Sequence, residues 1–363
     1  MPKPATLLIL FALALGLIGA TVAVSGAAEA WRAVRQAGPV AFASAVLVVL
    51  VQFALQTAAW KALNAASGLR VPGRTLFAAN VAGMAVNIVT PCAYLGGEPV
   101  KVLYAGRRAG ALLPRLAGTA VLSKYLEAVG FAVVFGLAVA IAAAVPGLQH
   151  AGGGGAGSWA WFMGPAVALA ALGTLLLLSL ARGWRPLERV VRTLRVLRPR
   201  SRRLARLLRR TRDMEREIGR IYREAPRATA WAFILLLSTH VSIFLRPAVF
   251  YGLGSGLRLT LPDLCLVYAA GQGMLALQFA PSGAGVLDGG MLGVYAARGL
   301  PAGEAMALLL ALRLCDLLVL AAGALLAAGA GIGAFRRTPE AHPQAVAARS
   351  PSSGLPGLSE SCP

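Results

Sequence analysis

Lys124 and Glu127, and again Arg313 and Asp316, set a cation and an acid three residues apart inside otherwise apolar sequence. That spacing puts both members of a pair on one helix face, where each neutralises the other. Ionisable groups in a membrane span cost roughly 2.5–3.5 kcal/mol each on insertion scales, so they are seldom kept there without a use. Two readings stay open: buried ion pairs that hold a bundle together, or cations that face a central cavity and contact an anionic group while the acids position them.

A second set of polar residues lies where helices break. The first reads Asn87, Pro91, Gly96, Gly97, Glu98 and Lys101; the second reads Pro281, Gly283, Gly285 and Asp288. Glu98 and Asp288 sit where a helix restarts after a Gly-containing turn, and the free N–H groups at such a start favour anions. The acids either cap those helices or stand beside a phosphate site, formed with Lys101, as gates or proton carriers. Asn87 and Gln278 precede the two prolines and are expected to satisfy backbone groups freed by the breaks. His240 and Arg246 fall in a further apolar span, where the histidine is expected to be a hydrogen-bonded packing residue.

These residues belong to an internal repeat. SGLR occurs at 67–70 and at 255–258, and the proline, acid and cation–acid pair follow in one register at offsets of 188 to 190 residues. Duplicated units with charges and broken helices are the sequence mark of transporter-like folds.

The 363-residue chain is 58% apolar and 13% charged, with mean hydropathy +0.70, which excludes an ordinary soluble domain. Apolar runs at 6–24, 40–60, 116–145, 160–181, 228–252 and 303–333 are each long enough to cross a bilayer. The first is read as a retained helix rather than a signal peptide. The interrupted stretches 75–113 and 262–300 read as helical hairpins that enter and return on one side. The expected fold is therefore an all-α polytopic membrane protein, with about six full transmembrane helices plus two re-entrant helical hairpins in an inverted-topology repeat. Repeat one covers 40–145 and repeat two 228–333, within a membrane domain over 1–335. The tail from 336 to 363 reads as disordered.

Charge supports that topology. A hairpin at 75–113 keeps Lys61, Arg70, Arg74, Lys101, Arg107, Arg108 and Arg115 on one face, together with the segment 182–227, where seventeen arginines meet five acids. The positive-inside rule makes that face cytoplasmic, with both termini there and the chain in the bacterial-type inner membrane. Three crossings separate the copies, so the second is inverted. The net charge of +21 would suggest nucleic acid in a soluble chain, but here it lies between apolar spans, and no nucleic-acid partner is expected. Within 182–212 the arginines form a helical stripe that suits the anionic leaflet or plain solvent.

No zinc spacing, disulfide framework, GxSxG, HExxH or Walker sequence occurs, so no metal, cofactor or enzymatic activity is expected. At the repeat residues the chain resembles the flippase-like integral membrane family that includes the membrane domain of lysylphosphatidylglycerol synthases. Asn87, Pro91, Gly96, Gly97, Glu98 and Lys101 carry the first part of the resemblance. Pro281, Gly283, Gly285, Asp288, Arg313 and Asp316 carry the second. Lys101 and Lys124 stand where arginine is common, and Asp288 where glutamate is. The resemblance covers about 40–335 and implies lipid handling, without the family's aminoacyl-transferase domain in this sequence. The expected function is a lipid flippase or permease for an anionic phospholipid or lipid-linked substrate, with membrane lipids as partners. The alternatives are a non-catalytic or catalytic membrane subunit of a hopanoid, polyprenyl or aminoacyl-lipid biosynthesis pathway and a gradient-coupled carrier of a soluble anion.

Overall fold

The computed structural model describes residues 27–90, 96–144, 202–276 and 286–329, with positions 16, 19, 175, 182, 188–189 and 191–193 besides. All elements among the described residues are α-helices: α1 (Ala27–Ala66), α2 (Gly73–Val89), α3 (Glu98–Ala109), α4 (Leu113–Ala143), α5 (Arg202–Glu224), α6 (Pro226–Leu253), α7 (Leu261–Ala276), α8 (Val286–Ala297) and α9 (Ala302–Gly329). The expected all-α class holds.

Four of these helices, α1, α4, α6 and α9, are long and apolar enough to cross a membrane; at 1.5 Å per residue each exceeds the hydrocarbon thickness of about 30 Å. They carry the crossings expected at 40–60, 116–145, 228–252 and 303–333. The runs at 6–24 and 160–181 and the tail 336–363 lie outside the described residues, as do Pro91, Gln278, Pro281, Gly283 and Gly285. The span expected from residue 40 begins at a real break: Gly38, at φ 72°, and Pro39 divide α1 into two stretches. Leu47, Leu50, Val133, Leu137, Ile234, Leu245, Leu318 and Leu325 point outward, an apolar girdle suited to lipid and not to water.

The same helix order occurs twice: long, medium, short, long. α2 and α7 have 17 and 16 residues, and α3 and α8 have 12 each. The turns match as well. Gly68 and Gly256, in the two SGLR strings, have φ 75° and 76°, and Gly110 and Gly299, before the last helix of each run, have φ 61° and 63°. At the latter turns the Ala111 N–H donates to the Gly106 carbonyl at 3.1 Å and the Leu300 N–H to Tyr295 at 2.9 Å, the closing bond of a Schellman cap.

The two runs interleave. α2 packs on α9, α7 on α4, and α1 along α6. Small residues permit these crossings: a Cβ on Gly323 would collide with that of Ala85 between α9 and α2, and one on Gly254 would press on Ala37 and Ala41 between α6 and α1. The α4–α7 contact includes larger side chains, with Phe135, Ala138 and Ala142 against Cys265, Tyr268 and Ala269. Over half of the α9 span is buried, against 22–28% of the other three, so α9 runs through the middle of the bundle.

The described helix of the arginine-rich segment, α5, starts later than the stripe read over 182–212. Its buried positions Leu208, Thr211, Glu215, Ile218 and Ile221 recur at helical spacing, and Ile218 and Ile221 pack with Leu122, Leu126, Ala232 and Leu236 of α4 and α6. A polar latch fixes it. The Ser67 hydroxyl donates to Glu217 Oε1 at 2.5 Å, Arg220 donates to the same oxygen at 2.6 Å, and the Glu217 stem lies against Gly118 of α4. Burial pushes the Glu217 carboxyl up, but the hydrogen bonds from Arg220 and Ser67 outweigh it and hold the group below its usual range. A lowered folded value means that the latch stabilises at neutral pH and is lost as pH falls from the ordinary carboxylate value through the folded one. Glu217→Ala is expected to cost about 1–2 kcal/mol at pH 7, since Arg220 is partly solvent-screened. Thermal unfolding midpoints of the purified protein should show that deficit narrowing below pH ~4.

Candidate functional site

The hairpin α2–α3 closes on itself through two glycines. Gly83 and Gly97 cross so closely that a Cβ on Gly97 would run into the Gly83 carbonyl oxygen. The break between the helices leaves the Gly97 N–H without a helical partner, and it donates to the Asn87 side-chain oxygen at 2.6 Å. Asn87 thus has the backbone-satisfying place expected for it. Thr90 adds a hydrogen bond back to the Val86 carbonyl at 2.8 Å.

With its start fixed there, α3 presents Glu98 in its first turn. The Glu98 carboxylate lies 3.6 Å from Lys101 and 3.5 Å from Lys124 of α4, so it joins the two lysines rather than closing its own helix end. Lys124 is 3.1 Å from Glu127, the i, i+3 pair expected from sequence. Lys101 sits 4.5 Å above the Trp60 ring, a cation–π contact worth roughly 0.5–2 kcal/mol. The Trp60 indole N–H donates to Thr119 at 3.0 Å, whose hydroxyl donates to Asn64 at 2.6 Å. His240 Nε2 donates to the Glu127 main-chain carbonyl at 3.0 Å, and its ring meets Phe131 edge-on, as a packing histidine does. Two cations and two anions therefore form a balanced first cluster, whose four side chains are 11–26% exposed.

The second cluster is tighter. Arg313 NH2 donates to both oxygens of Asp288, at 2.8 and 3.0 Å, and NH1 reaches Asp316 at 3.3 Å. Asp288 stands in the first turn of α8, as Glu98 does in α3. The side chains of Asp288 and Arg313 are 0% and 2% exposed. The residues grouped from sequence come together within each copy: Glu98, Lys101, Lys124 and Glu127 in one, Asp288, Arg313 and Asp316 in the other. Trp60, Thr119 and Asn64 were not legible in sequence, since no repeat or spacing marks them.

An apolar helical bundle with two paired charge clusters, each beside a helical hairpin, defines an integral membrane protein with a polar interior site. A family model described as the lysylphosphatidylglycerol synthase TM region matches residues 7–323, and the chain belongs to that family. It is 32% identical over 114 residues to a UPF0104 membrane protein of Methanothermobacter thermautotrophicus; the match covers 31% of this chain and 34% of that relative. No solved structure matches.

The geometry makes two expectations. Removing one partner of a sealed ion pair strands the other, at about 3–5 kcal/mol, whereas neutralising both costs much less. Asp288→Asn, which leaves Arg313 its contact with Asp316, is expected to lower thermal stability less than Arg313→Gln, which strands both acids, and the double variant to recover part of the Arg313→Gln loss in a double-mutant cycle. Gly97→Ala is expected to destabilise by about 1–3 kcal/mol or more, and Gly83→Ala less, since its Cβ would stop 3.1 Å from the Gly97 oxygen.

Proposed function

We propose that this protein is a lipid-translocating permease, a flippase for an anionic phospholipid or lipid-linked substrate. The supporting observation is the contrast between its two charge clusters. The first is partly open, with Lys124 26% exposed, while the second is closed, with Arg313 2% exposed. A carrier with two equivalent half-sites in one access state has this form. The hairpins α2–α3 and α7–α8 enter the membrane from opposite faces as an inverted pair, and the arginine-rich side is cytoplasmic, with both termini on it.

A headgroup phosphate entering the first cluster competes with Glu98 for Lys101 and Lys124. Lysine suits this exchange, because an ammonium is a compact point charge that accepts several geometries, unlike a guanidinium fork. The carboxylates keep the empty site neutral, so the interior holds no uncompensated charge between transport events. No bond is made or broken, and the acyl chains remain in the hydrocarbon.

A second reading rests on the family description: a membrane subunit that binds a lipid for a partner enzyme. Proteoliposomes carrying headgroup-labelled phosphatidylglycerol separate the two through quencher accessibility of each leaflet. Lys124→Ala is expected to slow redistribution by about tenfold or more, as does the loss of one charge-assisted contact, and so is the Asp288→Asn/Arg313→Gln pair. Parent-like rates in both would sink the flippase assignment. Label appearing in a new lipid species when pathway enzymes are added, without redistribution, would favour the second reading.

A further inference from the structure

Away from both clusters, the turn between α3 and α4 and the outer face of α5 enclose an open depression of about 280 Å³, lined by Leu112, Pro114, Arg115, Asp213, Arg216, Glu217 and Arg220. Its charges are not equivalent. Glu217 is buried and held by Ser67 and Arg220, so its charge is already matched. Asp213 is exposed at the rim. Arg115 and Arg216 come from different helices, are exposed, and make no ion pair among the described residues. The depression thus sets three guanidinium groups, Arg115, Arg216 and Arg220, against the two carboxylates Asp213 and Glu217, one positive charge in excess.

Its apolar part is placed as informatively. Leu112 is 61% exposed and Leu113 38%, and the α4 span begins at Leu113. These leucines therefore stand where the span leaves the hydrocarbon, and the arginines beside them stand at headgroup depth. Farther along α5, Arg209, Arg223 and, at the start of α6, Arg227 are also exposed. They extend the basic surface, while Glu215 and Glu217 are turned inward.

We infer that this depression is a docking site for an acidic phospholipid of the basic-face leaflet, whose phosphate lies between Arg115 and Arg216 and whose acyl chains run beside Leu112 and Leu113. Arginine forks suit bidentate phosphate contact, and the adjoining apolar side chains suit a lipid rather than a soluble anion. The site needs only that the chain be membrane-integrated. It is independent of whether the protein moves lipid, and failure of the transport reading leaves it untouched.

Native mass spectrometry of the full chain in detergent, titrated with phosphatidylglycerol, phosphatidylcholine or inorganic phosphate, tests it. The parent is expected to retain phosphatidylglycerol in preference to phosphatidylcholine. Arg115→Gln/Arg216→Gln is expected to weaken that binding roughly 30-fold, from about one decade or less per arginine. Arg115→Lys/Arg216→Lys, which keeps the charge and loses the forks, should bind between the parent and the glutamine pair, and Arg209→Gln/Arg223→Gln, with the same charge loss outside the depression, should keep nearly all. Equal losses in the two glutamine pairs would reduce the effect to diffuse charge and overturn the site. So would equal retention of the two lipids, or displacement of phosphatidylglycerol by inorganic phosphate at like concentration. If the glutamine pair does not fold, Arg216→Gln with Leu112→Ser, both on exposed positions, gives the same decision.

Discussion

A broken helix within an apolar bundle frees main-chain groups that have no water to bond, and a charge placed there must find a partner. The first hairpin meets both demands with one arrangement. Gly83 and Gly97 let the two arms of the hairpin cross, the crossing brings the Gly97 N–H to Asn87, and the fixed restart of α3 turns Glu98 toward Lys101 and Lys124. A side chain on Gly97 would undo the sequence at its first step. The charged site is thus a consequence of how the backbone break is satisfied, and not an addition to a finished fold.

The two copies solve the same problem with different chemistry. In the second, the position equivalent to Lys101 is Met291, three residues after the acid, and a single guanidinium meets Asp288 through two short hydrogen bonds. In the first, two ammonium groups share two carboxylates at 3.1–3.6 Å, with Trp60 beneath one of them. A guanidinium whose two terminal nitrogens are held by different carboxylates is geometrically stiff, whereas lysines tolerate rearrangement. On the same order of helices, one half is firm and the other adaptable.

Much of this was legible in the sequence because it rests on local pattern. The i, i+3 pairs at 124/127 and 313/316, the acids at 98 and 288, and the role of Asn87 follow from spacing and from punctuation by Pro and Gly. What was not legible depends on contacts between distant segments. SGLR is the same string twice, and its glycine has the same left-handed backbone in both copies. Yet Ser67 is buried against Glu217 of α5 while Ser255 is exposed. The Trp60–Thr119–Asn64 chain joins α1 to α4, and no periodicity in either helix announces it.

Packing also says where a rearrangement has room to occur. α4, which carries Lys124 and Glu127, is clamped by α5 at Gly118 and by α6 at Gly130, where a Cβ would touch Leu237 and His240. α2 is clamped by α9 at the Ala85–Gly323 contact. α3 packs chiefly on α2 and α4, and its ties to Lys124 run through Glu98 at 3.5 Å, longer than the 3.1 Å pair within α4. Interiors resist continuous deformation and yield where contacts are fewest. A ligand that drew Lys124 away from Glu98 would leave the Lys124–Glu127 pair in place on a fixed helix and release the first turn of α3, so the short helix bearing Glu98 and Lys101 is the element on which such a change would act.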